Sequence, residues 1–576
     1  MFRLDVFRWR CCVERITALT ELFNKLKGVQ ELKKSLGFLA ILFIVIALLV
    51  SGCNGGDDTG NGGGEDVVTE ELTIRYNVGT EPQTLDPALM TGIPESTILL
   101  QMYEGLTRLD ADNNPQAAIA ESWDISEDGT EFTFYLREDA VWSNGDSLTA
   151  ADFEFSWKRA LDPAMAGDYA YMLYLVEGAE AYNSGEGSVD DVAVTAVDDN
   201  TLKVKLVSGA PYFVSLTAFP TYFPLHRATV EADNEGWALS VDTIIGNGPF
   251  KLVKWAEGQM EYVPNENYWD ASAVKLDRLI FSMVEDESTE LTMFETGEID
   301  MTHTLPGPEI PRLSAERPDE LHIFPYLGTY YYIFNCERAP FDDVNVRKAL
   351  TLAVDRVAIV ENVTQGGQLP AFAYVPFGIA DLAEGSDFRE VGGDYYAYDV
   401  EEAKRLLAEA GYPDGVGFPP FEILHNTSEM HKMVAEAIQE MWTVNLGITG
   451  VTITNQEWGV YLDSRDEGAF DVARAGWIGD YVEPNTFLDM WKTGGGNNNA
   501  FWGDARYDQI IADLLIIADP AERIPLLHEQ EDILMEAMPI MPIYYYTLPA
   551  MVSNKIDGYV QLTVGGVDFK NAFIVE

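Results

Sequence analysis

Hydrophobic positions along the chain follow two periods that take turns. Over 72–77, 131–136 and 201–206 apolar and polar residues alternate one by one, the mark of half-buried strands, with Phe132, Phe134 and Leu136 on one face. Over 149–161, 344–362, 399–410 and 428–445 apolar residues return every three or four positions, which predicts amphipathic helices. The first helix begins at Thr149, an N-cap residue, with Asp152 three positions on to satisfy free amides and complement the helix dipole; Phe153 and Trp157 point inward. Turn-forming clusters fall at 143–146, 183–187, 411–417 and 494–499, and the last, GGGNNN, reads as a flexible surface loop. Strands and helices interleaved in this way predict a mixed α/β or α+β protein, and no internal repeat is visible. At 576 residues the chain exceeds what one core usually organises, so two or three lobes are expected.

One segment breaks both periods. Residues 36–50 (LGFLAILFIVIALLV) are uniformly apolar, follow Lys33 and Lys34, and end at Ser51, Gly52 and Cys53. A spanning helix wants about 20 such residues, so a secretory signal is the better reading and a retained anchor the weaker one. The run LVSGC resembles the bacterial lipobox, which implies that Cys53 is acylated and begins the mature protein. Residues 1–52 are then a signal region, and 53–71, rich in Gly, Asn and Asp, a tether. Residues 1–28 fit no signal peptide, because Arg3, Arg8, Arg10 and Arg15 lie far upstream of the apolar run, so translation is expected to start near Val29.

Charge narrows the function. Lys plus Arg number 37 against 94 Asp plus Glu, a net charge of −57, which argues against nucleic-acid partners. Such a coat keeps a surface protein soluble and leaves the lipid as its hold on the membrane. Cys11 and Cys12 precede the signal and Cys53 is the lipid site, so Cys336 alone remains for the folded part, where a small buried hydrophobe is its expected role. The histidines form no HExxH pair, and GxSxG, GxxxxGK[ST] and CxxC are absent. Asp110, Asp112, Asn114, Gln116 and Glu121 approach a calcium loop, but Pro115 stands where the sharp turn needs Gly, and an acidic turn is expected instead. Neither a metal nor a cofactor is expected.

The segment AESWDISEDGTEFTFYLREDAVWSNGDSLTAADFEFSWKRALDP, residues 120–163, resembles the signature region of family 5 of the extracellular solute-binding proteins, which serve peptide and nickel ABC importers. TLDP at 84–87, YEGL at 103–106, GNGPF at 246–250 and FDDVNVRKALTLAV at 341–354 agree, so the likeness runs from about residue 72 to the end. NQEW at 455–458 and DVARAGWIGDYVEPNTF at 471–487 are most similar to its oligopeptide-binding members. The resemblance implies a two-lobed, three-part, class II periplasmic-binding-protein fold that closes by a hinge. It places lobe I at 72–104 with 227–325 and 548–576, an accessory part at 105–226, and lobe II at 326–547.

It also implies the site. Asp480 is expected to hold a ligand α-ammonium group; His431, Arg465 and Arg474 are expected as cationic groups for the ligand carboxylate. The backbone around Gly476 and Ile478, with Ile93 and Tyr169, is expected to pair with a peptide main chain, and Trp458 and Trp477 to line side-chain pockets. Thr91 stands where better-known members carry an acidic residue. Read without the family, the tryptophans are ordinary core, and the two arginines pair on the surface with Asp463, Asp466 or Asp471. The implied protein is a monomeric, lipid-anchored, extracytoplasmic carrier of oligopeptides, on the outer face of the cytoplasmic membrane or in a periplasm, that works with permease subunits and cytoplasmic ATPases. The same scaffold with dipeptides, murein or signalling peptides, nickel complexes or sugars, a surface sensor, and a secreted peptidase or glycosidase are the alternatives.

Overall fold

The computed structural model describes residues 71–575 apart from 211, 257 and 384; the signal region 1–52, Cys53 and the tether as far as residue 70 lie outside the described residues. Among the described residues no helix is long and apolar enough to cross a membrane.

The alternating segment at 131–136 is a strand, Glu131–Leu136, with Phe132, Phe134 and Leu136 buried and Tyr135 exposed. It belongs to an antiparallel sheet ordered Ala120–Ile125, Glu131–Leu136, Thr201–Lys205, Val194–Asp198. The helix Ala150–Ala160 covers it, opened by the Thr149/Asp152 capping box, in which the Thr149 N–H donates to the Asp152 carboxylate at 2.8 Å. Its Trp157 is fully buried, which is tolerable because the indole N–H donates to the Tyr222 carbonyl at 2.8 Å.

A second sheet, ordered Thr73–Asn77, Arg278–Ser282, Gln259–Pro264, Phe250–Ala256, starts with a parallel pair and continues antiparallel. The third and largest has the order Leu369–Pro370, Ile540–Met551, Leu321–Phe334, Val472–Ile478, Phe421–Asn426, Val451–Gln456. Strand alternation splits its tyrosines between two cores: Tyr330, Tyr332 and Phe334 pack with the helices Val344–Leu352, Val400–Glu409 and Glu429–Leu446, and Tyr331 and Ile333 face the opposite side.

Two strands lead out of this sheet. Leu321–Phe334 and Ile540–Met551 pair antiparallel, but Pro325 faces Thr547 while Thr329 faces Tyr545, so residues 326–328 bulge. Gly328 sits in the bulge, where a Cβ would overlap the Ile478 side chain and come within 2.7 Å of the Trp477 carbonyl. Past the bulge, bridges from Met301 to Tyr76 and to Val552 join these strands to the second sheet.

The helix predicted over 344–362 is two helices and a wide turn: Val344–Leu352, Arg356–Ile359 and Val360–Thr364. Asp355 breaks it by accepting the Ala358 N–H as a new N-cap, and the buried Arg356 guanidinium takes up the carbonyls of Thr351 and Val354 that the break sets free. The acidic run near 110 is a turn: the Asp110 carboxylate accepts from the Asp112 and Asn114 amides and the Gln116 side chain.

Under the large sheet the Glu531 carboxylate is wholly buried, paired with Arg389 at 2.6 Å and accepting the N–H groups of Tyr374 and Val375 at 3.0 and 2.8 Å. Removing one partner of such a pair leaves a buried charge uncompensated. Glu531→Ala is expected to lose about 3–5 kcal/mol in urea unfolding; a loss below about 1 kcal/mol, the range of an exposed pair, would contradict this account.

Candidate functional site

The strand Val472–Ile478 pairs along its whole length with Leu321–Phe334, but with Phe421–Asn426 only at Val472 and Ala473. From Arg474 onward its second edge has no strand beside it. The Gly479 N–H donates to the Leu327 carbonyl at 2.8 Å on the paired side, while the Arg474 carbonyl accepts the Tyr461 hydroxyl on the other. Alternation along the strand therefore turns the N–H and C=O groups of Gly476 and Ile478 toward the open edge.

Two cavities lie against that edge. One, of about 270 Å³, is lined by Ile93, Trp458, Gly476, Ile478, His431 and Arg474 among others. The other, of about 140 Å³, shares the first four and adds Tyr169, Trp477, Arg465 and Asp480, with Thr91 at its rim. All ten residues that the sequence pointed to thus line two adjoining chambers. Ile93 opens the helix Ile93–Met102 and Trp458 the helix Trp458–Asp466, so both contribute the start of a helix, where backbone amides are free. Tyr169 stacks on Trp477 with ring centroids 6.1 Å apart and planes within 9°, closing one wall. Gly476 has to be glycine, because a Cβ would overlap the Tyr546 hydroxyl.

Charge in the chambers is uncompensated. Among the described residues Asp480 makes no ion pair and its carboxylate accepts only the Thr486 hydroxyl, at 3.3 Å, and burial pushes it up to about 8. Arg474 meets no carboxylate either. Its guanidinium donates to the Tyr546 hydroxyl at 2.6 Å and to Asn426 at 3.2 Å, lies over the Tyr330 ring at 4.7 Å, and keeps Nε without a partner. Arg465 donates to Asn499 Oδ1 at 3.1 Å and packs on Tyr461. The surface pairing of these arginines with neighbouring aspartates is not made: Asp471 pairs with Arg338, and Asp466 accepts from Asn499. His431 requires a correction. Burial first, then the Arg474 charge, hold its ring well below the ordinary histidine value, so it stands in the cavity as a neutral imidazole beside the Tyr330 hydroxyl, not as a cation.

Several lining groups escaped the sequence. GGGNNN is a surface loop only in its first part: Gly494 and Gly496 are exposed, whereas Asn498 is buried and donates to the carbonyls of Trp491, Lys492 and Trp502, and buried Asn499 holds Arg465. Tyr544 and Tyr546 line the larger chamber and Tyr330 flanks Arg474; the runs YYYIF and YYYT were the available signal, since three adjacent tyrosines on a strand must put polar tips on both faces. Glu287 and Glu290 also line it, raised by burial to about 7 and about 8. Glu287 accepts the hydroxyl of Ser428, the N-cap of Glu429–Leu446, at 2.5 Å, and so ties the helix Glu287–Thr296 to the large sheet's helical layer. Nothing in the local pattern marked that contact, because its partners lie 141 positions apart.

Comparison with known proteins identifies the family. Residues 114–499 match the bacterial extracellular solute-binding proteins, family 5 Middle. The chain is 38% identical to the oligopeptide-binding protein of Bacillus subtilis over 542 residues, covering 92% of this chain and 98% of that one. Its structure superposes on the Haemophilus influenzae oligopeptide-binding protein in complex with RPPGFSPFR with a TM-score of 0.80 at 36% identity, over 88% of this chain and 99% of that one. The murein tripeptide-binding protein of Escherichia coli matches at a TM-score of 0.81 in one structure, with 33% identity over 88% and 99% of the two chains. Its unliganded open form reaches only 0.59, at the same identity and over 88% and 98%. The family match, the relatives spanning nearly their whole lengths and the shared mixed α/β fold lead to one conclusion: the chain belongs to family 5 of the bacterial extracellular solute-binding proteins, a family that binds for transport and not for catalysis.

Proposed function

We propose that the protein is the lipid-anchored capture component of a peptide ABC importer, which holds oligopeptides as extended strands between two lobes. The observation that carries the reading is the open edge at Gly476 and Ile478, bounded by an unpaired carboxylate at Asp480 and an unpaired guanidinium at Arg474. A peptide is the solute that fits all three features. Its α-ammonium meets Asp480, its main chain adds to Gly476 and Ile478, with Ile93 and Tyr169 alongside, and its carboxylate meets Arg474, with His431 as a neutral donor, or Arg465. Residues 474 to 480 reach at most about 20 Å as an extended chain, a span that suits a short peptide. Main-chain bonds read no sequence, and water in the chambers beside Trp458 and Trp477 lets them take different side chains.

Closure follows from the same frame. The chain divides into lobe I (72–104, 227–325, 548–576), the accessory part 105–226 and lobe II (326–547), so the two crossings fall at Pro325 and Thr547, the facing pair beside the bulge. A bulged pair of strands is a hinge that can bend without breaking a core. The better match to one murein tripeptide-binding structure than to its unliganded open form supports a closed conformation here. Cys53 supplies the membrane anchor, and a permease with cytoplasmic ATPases receives the ligand. The alternative cargo is a murein peptide, which keeps the charges at Asp480 and Arg474 but differs in the middle.

Truncating Asp480 removes the partner of a buried ammonium, so Asp480→Ala is expected to weaken binding of Ala-Ala-Ala by about two to three and a half powers of ten in calorimetry. Unchanged affinity in that variant would contradict the site. A peptide α-amino group titrates near 8 and is charged below that pH, while the Asp480 carboxyl, at about 8 in the empty site, is mostly protonated there. Binding as an ion pair then expels the carboxyl proton, so affinity rises from pH 6 to 7.5 by up to about tenfold per unit. Calorimetry in two buffers of different ionisation enthalpy reads the released proton directly. Its absence from wild type, or its persistence in Asp480→Asn, would show that another group titrates.

A further inference from the structure

A third cavity, of about 370 Å³, is separate from the two chambers on the strand edge. Four tyrosines line it, Tyr171, Tyr174, Tyr212 and Tyr481, the last two stacked with centroids 4.9 Å apart and planes within 4°. Among them lies Asp489. Its Oδ2 accepts from Asn485 Nδ2 at 2.9 Å and, more loosely, from the Tyr481 hydroxyl at 3.4 Å; Oδ1 has no partner. The Asn485 Oδ1 and the Tyr171 hydroxyl, in the same lining, are also buried without a partner. Two basic side chains come near and both are taken: Lys492 pairs with Glu180 and Arg523 with Glu483, each at 2.8 Å. Burial, with Asp480 and Glu483 behind it, pushes the Asp489 carboxyl well above the ordinary range. Lys492 lies over the Tyr174 ring and Arg523 over the Tyr212 ring, each at 5.9 Å, yet among the described residues Asp489 Oδ1, Asn485 Oδ1 and the Tyr171 hydroxyl keep no partner, so the chamber presents free oxygens beside the Tyr171 ring that suit one further cation.

Its place relative to Asp480 decides what the cation belongs to. Asp168 and Asn497 line both this cavity and the 140 Å³ chamber that holds Asp480. The two carboxylates flank a single helical turn, Asn485–Leu488: Thr486 donates to Asp480, and its neighbour Asn485 donates to Asp489. A solute whose α-ammonium sits on Asp480 thus has its first side chain beside the shared wall. We propose that this cavity is a side pocket for the first residue of the bound peptide and that Asp489 makes it select a basic side chain, lysine or arginine. The inference rests on the peptide reading of Asp480 and adds a preference that the main-chain site does not supply.

Calorimetry on the folded chain with Lys-Ala-Ala, norleucine-Ala-Ala and Ala-Lys-Ala tests it, since norleucine keeps the length of lysine without its charge. Wild type is expected to bind Lys-Ala-Ala at least tenfold more tightly than norleucine-Ala-Ala. In Asp489→Asn that ratio is expected to fall within twofold of one. Should Asp489→Asn unfold, Tyr171→Leu provides the second variant, expected to lower the same ratio by at least threefold through loss of an aromatic face. Equal wild-type affinities for the lysine-first and norleucine-first peptides, or a lysine preference that survives both substitutions, would overturn the inference and leave the peptide reading standing. Wild type that binds none of the three would overturn the peptide reading and this inference with it.

Discussion

An ionisable group taken out of water needs a partner, and among the described residues two such groups at the candidate site have no ion pair. Asp480 has only a hydroxyl for company, and Arg474 has one hydroxyl, an amide oxygen and a ring face. Left alone, each costs the fold free energy that the large sheet and its two cores must offset. On the proposed reading, a zwitterionic peptide would offset that cost at both ends at once. The same side chains that penalise the empty state would then supply affinity in the filled one, and the strand between them could remain indifferent to sequence.

The scaffold is arranged to keep that strand half-paired. Val472–Ile478 is held firmly by Leu321–Phe334, so its position is set, yet the sheet's next strand stops beside Ala473. Helix starts at Ile93 and Trp458 and the stacked pair Tyr169–Trp477 fill in around the exposed edge without covering it. The 326–328 bulge lies on the same long strand, with Gly328 against Trp477 and Ile478, so a hinge there, as proposed, would act directly on the open edge.

How much of this was legible in the sequence depended on range. The capping box at Thr149, the alternation of Phe132, Phe134 and Leu136, and the helices near 399–410 and 428–445 are local patterns, and each folds as its spacing predicts. The split at Asp355 was hidden because Arg356 caps its own helix break, a tertiary bargain that periodicity does not register. The end of GGGNNN misled for a related reason: Asn498 and Asn499, which look like solvated loop residues, satisfy buried carbonyls and an arginine instead. The site residues came into view through family likeness; no spacing rule joins Ile93, Tyr169 and Asp480 across nearly four hundred positions. His431 shows the limit of that route, since likeness carries a residue type across but burial decides its charge.

The account's central claim is that the paired charges and the open edge hold an intact peptide. Native mass spectrometry of the protein expressed from Glu65 onward, before and after mild denaturation, tests it directly, because such a ligand would travel with the protein through purification. The account predicts released masses that sequence as short peptides of several compositions and that vanish in Asp480→Ala. A protein that carries no peptide and takes up none from a peptide library, or one that releases a metal chelate or a sugar, would contradict it.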